Sequence, residues 1–347
     1  MFSDSDSDCE GYIGGLGWLD TRTPVIIEGA RYFKDRNHWY DDGNIILVVH
    51  TTAFRVFQSI LTEHSQVMKD MLGIPQPTAA DGTNGSISEG QPSFEGVPVV
   101  MLDDKDYYFQ LLLDALLPND TTNPAISGNI HVNYLMGVAQ IAKKYEFDDV
   151  ATHVISLLEN RLPTVEQPRI NLGYSLSYDM QDYVRIIKWA RRCGLPQFLP
   201  LCFYHLATAE WDEFQDEDQF LETQRAFQKL SPQDQWRTYI GRGKLQALIL
   251  EVGLSAQWED CQNNGCRMTR NGPSDQMGAR HQRLKFFLLN PLQELKRREW
   301  RGFVPDLCDG CSELFASWNQ SAKDRILGQL GTCFTIADEK SEFGGCP

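Results

Sequence analysis

With 347 residues the chain is too long for one small domain and suits two or three modules, and its hydrophobic fraction of 42% is ordinary for a globular protein. The net charge of −15 disfavours direct nucleic-acid binding, because phosphate neutralisation requires clustered Lys and Arg. No apolar run approaches the ~18 residues of a membrane helix, and the acidic start MFSDSDSD does not have the pattern of a signal peptide. We therefore expect a cytoplasmic or nuclear protein that binds neither nucleic acid nor a membrane.

The N-terminal part of the sequence predicts an acidic tail followed by a β-hairpin. Residues 1–24 are rich in Ser, Asp and Gly, a composition typical of disorder, and residues 25–27 predict a short strand. An Asp-Gly turn at 42–43 precedes the apolar run 45–49, and residues 53–56 predict the second strand of a hairpin. Two short helices follow, with Ser65 as the predicted N-cap of the second.

The middle of the chain alternates polar loops with regular elements. Residues 73–96 are dense in Pro, Gly, Ser, Thr and Asn, so we predict a flexible surface loop there. Residues 97–102 predict a strand, and the pair Asp103 and Asp104 is a predicted N-cap for a helix over 105–117. After a second polar loop at 118–129, helical spacing predicts two further helices, the second of which starts at Asp148 and is closed by Pro163.

Several phrases in this stretch resemble the BTB/POZ domain of a fungal, basidiomycete-type set of proteins. They are Asp-Gly-Asn-Ile-x-Leu-Val-Val at 42–49, Ala-Phe-Arg-Val at 53–56, His-Ser at 64–65 and Lys-Tyr-Glu-Phe-Asp-Asp-Val at 144–150. The family has a His after Phe-x-Val, whereas this chain has Phe57, so we expect local packing to differ. The resemblance implies an α+β fold, in which a hairpin and small sheet pack on a helical bundle.

The implied BTB/POZ domain extends over residues 25–163. Its predicted core residues are Ile45, Leu47, Val49, Phe54, Leu61, Met68, Val100, Leu112, Leu135, Ala139, Val154 and Leu158. A linker at 164–180, an all-α extension at 181–253 and a Cys-containing helical segment at 254–347 are predicted to follow. Gly194 and Ser231 mark predicted helix boundaries, and the Gly-Arg-Gly-Lys run at 241–244 predicts a break or bend. This run lacks the spacing and the Ser or Thr of a phosphate-binding loop.

The nine cysteines, an odd number without a secretory signal, indicate free or metal-bound thiols in a reducing compartment. Four of them have spacings compatible with a structural zinc site: Cys261, Cys266, Cys308 and Cys311. Zinc binds four thiolates tetrahedrally, and Gly310 could supply a tight turn between the last two ligands. His281 is the predicted substitute ligand. The alternative is four buried structural thiols without metal.

The helix predicted over 105–117 carries apolar residues on every side, which is typical of a wholly buried helix or of one that also contacts a partner. One predicted core face comprises Tyr108, Leu111, Leu112, Ala115 and Leu116. We therefore expect Tyr107, Phe109 and Leu113 to be partly exposed and to bind a partner, with Asp103, Asp104 and Asp106 as an acidic rim. The alternative is that another part of the same chain covers them.

The function that the resemblance implies is protein–protein interaction, by self-association or by recruitment of a partner, including a role as substrate adaptor of a cullin-based ubiquitin ligase. The hydrophobic-x-Glu element of many cullin-binding members is not visible between Asp106 and Pro118. A homo-oligomeric scaffold or a transcriptional co-regulator without DNA contacts is the alternative. The sequence has no catalytic motif of the common families, so a thiol- or metal-dependent enzyme is a remote alternative, and we expect no enzyme.

Overall fold

The computed structural model describes residues 23–73, 92–117, 130–162, 164–165, 178–209, 217–254, 292 and 308–336. The strands are β1 (Pro24–Ile27), β2 (Ala30–Trp39), β3 (Ile45–Val49), β4 (Thr52–Val56), β5 (Ser93–Phe94) and β6 (Val97–Leu102). The helices are α1 (Gln58–His64), α2 (Gln66–Gly73), α3 (Asp106–Leu116), α4 (Val132–Lys144), α5 (Asp148–Glu159), α6 (Met180–Cys193), α7 (Leu199–Ala207), α8 (Glu217–Gln228), α9 (Pro232–Leu254) and α10 (Asp309–Cys333), with a 3₁₀ turn at Pro196–Phe198. The chain is therefore a mixed protein of one sheet and many helices, compatible with the predicted α+β class. None of the described helices is both long enough and apolar enough to cross a membrane.

The chain divides into two compact units, and the division differs from the predicted domain boundaries. The first unit comprises residues 1–125 and 145–147, and the second comprises residues 126–144 and 148–347. Helix α4 packs on α5 and α6, and the indole N–H of Trp189 in α6 donates to the carbonyl oxygen of Met136 in α4 at 2.8 Å. The contact-based division thus lies at residue 125 and not at the predicted residue 163, since α4 packs on α6 of the predicted extension.

The first unit contains a six-stranded sheet in the order β1-β2-β4-β3-β6-β5. The predicted hairpin is confirmed as the antiparallel pair β3 and β4, and the predicted strand at 97–102 is confirmed as β6, which lies parallel to β3. Strand β2, which no sequence pattern indicated, pairs with β1 and lies parallel to β4. Strand β5 falls inside the predicted loop at 73–96, so that loop ends earlier than expected. Residues 74–91 of this loop lie outside the described residues.

Strand β3 is the centre of this sheet, because all five of its residues are buried. Successive side chains alternate between the two faces, and Ile46 and Val48 form one cluster with Val25, Ile27, Ala53 and Val99. The predicted core residues are buried with one exception, which is Val100. The register between β3 and β6 pairs Val99 with Ile46 and Val100 with Leu47. Val99 therefore packs in the cluster with Ile46, whereas Val100 lies half-buried on the other face of the sheet.

The turn between α1 and α2 is fixed by Ser65, as predicted. Its hydroxyl accepts the backbone N–H of Met68 at 2.9 Å and donates to the carbonyl oxygen of Tyr145 at 2.5 Å. Phe57, for which local packing was expected to differ, is half-buried, and its ring lies 5.3 Å from that of Tyr40. The residue before α1 therefore makes an aromatic contact with the segment that precedes β3.

The second unit is helical wherever the structure describes it. Helix α6 starts with a capping box of Asp179 and Asp182 and ends at Gly194, whose φ of 62° lies in the left-handed region that glycine favours, so the predicted end is confirmed. Helix α9 begins after Ser231, whose hydroxyl accepts the N–H of Asp234 at 3.1 Å. It continues without interruption to residue 254. The helix is therefore not broken at 241–244. Gly241 is buried within it, at a position where an added β-carbon would lie 2.0 Å from Cδ1 of Phe334.

Candidate partner-binding surface and cysteine sites

Helix α3 begins one residue later than its predicted cap suggested. Its N-cap is Lys105, with no hydrogen bond from a capping side chain. Asp104 instead accepts the hydroxyl of Tyr145 at 2.5 Å. The predicted capping role of Asp103 and Asp104 is thus wrong, because a tertiary hydrogen bond of Asp104 replaces the local one.

The buried face of α3 differs from the predicted one. Phe109, Leu112 and Leu113 are all 0% exposed. The ring of Phe109 lies 5.8 Å from that of Phe54 and 6.2 Å, edge-on, from that of Tyr145. The prediction that Phe109 and Leu113 are partly exposed is therefore wrong, since the core of the first unit encloses both. A helix with apolar residues on every side has no hydrophobic periodicity, so the sequence does not indicate which of its faces is buried.

Tyr107 is the one residue of the predicted set that is exposed, with 46% of its surface accessible. Met101, at the end of β6, is 45% exposed, and Asp103 in the connection between the strand and the helix is exposed as well. We call Met101, Asp103 and Tyr107 the 101–107 surface. It combines two large apolar side chains with one carboxylate, which is a composition suited to protein contact.

The other two predicted rim carboxylates hold the connection in place. Asp106 is half-buried and accepts hydroxyls of Thr52 at 2.7 Å and Thr51 at 3.3 Å, both from the β3–β4 hairpin. Burial raises the pKa of Tyr145, and the hydrogen bond to Asp104 and the charges of Asp104 and Asp103 raise it further. Tyr145 therefore stays a neutral phenol that donates to Asp104. These bonds fix the backbone from which Met101 and Tyr107 project.

A polar pair that the sequence did not reveal anchors the other end of α3. His38 of β2 is fully buried, and its Nε2 lies 2.8 Å from Oδ1 of Asp114. The Oδ1 atom of Asp35 accepts hydrogen bonds from the backbone N–H groups of Asn37 and His38, at 2.9 and 2.8 Å. These bonds constrain the backbone from Asp35 to His38. The pair joins α3 to β2 across 76 residues of sequence. The available signal was Asp114, a carboxylate among the apolar residues near the end of α3.

The predicted zinc ligands are only partly placed by the structure. Cys308 is the N-cap residue of α10, and Cys311 is buried in its first turn. Gly310 lies in this helix with an ordinary conformation, so the predicted tight glycine turn is wrong. Cys261, Cys266 and the substitute ligand His281 lie outside the described residues. Within the described ranges, no group of three or more Cys, His, Asp or Glu could hold a metal ion, and the four-thiolate zinc site stays a prediction.

Cys202 and His205 of α7 are one Cys–His pair close in sequence within the described residues. Cys202 is fully buried, and this burial raises the pKa of its thiol. The ring of His205 stacks on that of Tyr183 at 4.6 Å with 13° between their planes, and burial lowers the pKa of His205 to about 4. A thiol nucleophile requires a lowered pKa and a base that accepts its proton. This pair has the opposite character and fits a structural role.

The position of His205 predicts an acid-dependent loss of stability. The native state keeps the ring neutral down to a pKa of about 4, whereas the unfolded chain takes up the proton below its ordinary value of 6.5. The stability that the neutral His205 ring contributes is therefore fully present above pH 6.5, the pKa of the unfolded chain. It is lost as the pH falls from 6.5 towards the native pKa of about 4. From about pH 7 to about pH 5 the wild type should lose about 2 kcal/mol more than a His205→Phe variant, measured by urea unfolding. Phe retains the stacked ring, and equal losses in both proteins would contradict the assignment.

Comparison with known proteins returned no family. No protein-family model matches the chain, and no curated protein matches it either. The likeness to BTB/POZ domains therefore depends on the quoted phrases and on the order of the elements, and what it implies about function is a proposal.

Proposed function

We propose that this chain is a protein–protein interaction protein whose first unit is BTB/POZ-like and associates with a second copy or with another protein. The observation that carries the proposal is the order of elements in this unit. An antiparallel hairpin (β3–β4) is followed by a helix pair (α1–α2), then by a strand parallel to the hairpin (β6) and by α3. This is the order that the resemblance implies for the BTB/POZ domain, with the family phrases on the same elements.

The 101–107 surface supports an interaction role. Large apolar side chains that stay exposed on a rigid scaffold are typical of contact sites, and aromatic residues dominate the energetics of such sites. Tyr107 and Met101 follow one another closely along the chain, and the hydrogen bonds of Asp104 and Asp106 fix the backbone between them. A surface fixed in this way loses little conformational entropy on binding.

Self-association is the preferred form of this function, and cullin recruitment is the weaker one. Helix α3 contains no Glu, so the hydrophobic-x-Glu element of many cullin-binding members is absent from it. A homo-oligomeric scaffold or co-regulator needs only the self-association itself. The net charge of −15 disfavours direct binding of nucleic acid, whether the protein acts as a scaffold or as a co-regulator.

The test is a Met101→Ser/Tyr107→Ser variant examined by light scattering after size-exclusion chromatography and by affinity purification. We expect association to weaken about tenfold or more, because an exposed aromatic anchor is lost. The melting temperature should stay unchanged, since neither side chain is in the core. The matched control is Ile26→Ser, which removes a side chain that is 56% exposed on β1 of the same unit.

Three outcomes separate the possibilities. Loss of self-association in the double variant but not in the control supports the proposal. Recovery of a cullin that depends on Tyr107 supports the adaptor form. A strictly monomeric wild type that recovers no partner would overturn the proposal for this unit.

A further inference from the structure

Helix α9 has apolar side chains on two opposite faces. One face is buried in the second unit and packs against α7 and α10. Its members are Asp234, Thr238, Gly241, Leu245, Ile249 and Val252. The opposite face carries Trp236 (65% exposed), Tyr239 (63%), Ile240 (40%) and Leu250 (38%). We call these four residues the outer stripe. A helix that is apolar on both faces is expected only where both are covered by protein.

One aromatic residue of the outer stripe, Tyr239, is held by a contact with a neighbouring helix. The ring of Tyr239 contacts the buried ring of Phe227 edge-on, with centroids 5.7 Å apart. Trp236 and Ile240 lie one helical turn apart, on either side of Tyr239 along the helix. An exposed and partly fixed aromatic cluster of this kind is a typical anchor site at protein interfaces.

Two cations flank the outer stripe, although the chain as a whole has a net charge of −15, and Glu251 beside Leu250 is paired with Arg325. Arg242 and Lys244 flank the stripe, and neither forms an ion pair with a carboxylate of the described residues. Asp234 is the only acidic residue between 232 and 250. It is buried and bonded to Arg191 at 2.7 Å and to Arg237 at 3.1 Å, so its charge does not offset Arg242 or Lys244.

We propose that the outer stripe binds an acidic segment of a partner protein, one that presents carboxylates beside an aromatic anchor. The apolar residues of the stripe would contact the aromatic side chain of the partner, and Arg242 and Lys244 would favour negative charges beside it. Nucleic acid fits less well, because two cations give a weak phosphate footprint on an acidic protein. The stripe lies on the second unit, so this site is independent of the function proposed for the first.

The probe is a short fluorescein-labelled synthetic peptide that places Asp and Glu on both sides of one Trp, in a sequence that does not occur in this chain. Titration of the full chain should raise its fluorescence anisotropy to saturation, and added NaCl should weaken the binding because it screens the charges. The variants Trp236→Ala and Arg242→Glu/Lys244→Glu should each weaken binding about tenfold. Lys69→Glu/Lys143→Glu, which makes the same charge change on exposed residues of two other helices, should have no effect.

All variants change exposed or partly exposed side chains, so each melting temperature should match that of the wild type. Absence of saturable binding at millimolar peptide would overturn the proposal. Equal weakening by both pairs of charge changes would overturn it too, because it would show a response to net charge alone. Binding of anionic vesicles or single-stranded DNA through Trp236, without binding of the peptide, would assign the stripe to a different class of partner.

Discussion

Replacing Gly241 with Ala is expected to destabilise the second unit by about 2–3 kcal/mol, although alanine is the better helix former. A β-carbon at this position would lie 2.0 Å from Cδ1 and 2.2 Å from Cε1 of Phe334, far inside normal contact distance. Phe334 is fully buried and stacks on Phe203 at 5.7 Å, so its ring has no free space into which to move. Urea unfolding of the full chain measures the loss.

Gly243, two residues later in the same helix, is the matched control. It is exposed, and an added β-carbon there meets nothing within 4 Å. Gly243→Ala should therefore stabilise the helix by about 0.5–1 kcal/mol through propensity alone. A Gly241→Ala/Phe334→Leu protein should recover part of the loss, because the smaller side chain makes room. If both glycine variants changed stability in the same direction, the close contact with Phe334 would be disproved.

Replacing Phe109 with Ala is expected to cost the first unit about 3–5 kcal/mol, the usual effect of removing a fully enclosed aromatic side chain. The ring contacts both Phe54 and Tyr145, so its loss opens a cavity between the sheet and the residues at 145–147. Thermal unfolding, followed by near-ultraviolet circular dichroism, measures the change. We expect the midpoint for this unit to fall by about 10–20 °C.

Tyr107→Ala, two positions earlier in α3, is the comparison. Its side chain is exposed, so the change in stability should stay within about 0.5 kcal/mol. A stable Phe109→Ala protein that fails to associate would restore the earlier expectation that Phe109 is a contact residue. A destabilised one that still associates would agree with its place in the core.

Features with local signals could be predicted from the sequence. The Asp-Gly turn and the apolar run 45–49 predicted the β3–β4 hairpin. Ser65 and Gly194 marked helix ends through capping chemistry that acts within a few residues. Strand β6 was indicated by a short β-branched run. Tyr107 was the member of the candidate surface that the sequence placed correctly on the exposed side.

Features that depend on distant parts of the chain could not be predicted. Strand β2 reads as polar and irregular, and its pairing with β4 is parallel and therefore non-local. The rotation of α3 about its axis follows from the contacts of Phe109 with Phe54 and Tyr145. The glycine at position 241, inside α9, is explained by the close approach of Phe334.

The assignment of residues 145–147 to the first unit has a consequence for folding during synthesis. The ribosome must release the whole of α4, which belongs to the second unit, before Tyr145 can bond to Asp104 and Ser65 and close over Phe109. The first unit therefore cannot finish folding as an isolated N-terminal piece, and the late-arriving contact raises the sequence separation of its core. A nascent chain ending near residue 125 should remain protease-sensitive, and protection should appear only once residue 147 has left the exit tunnel.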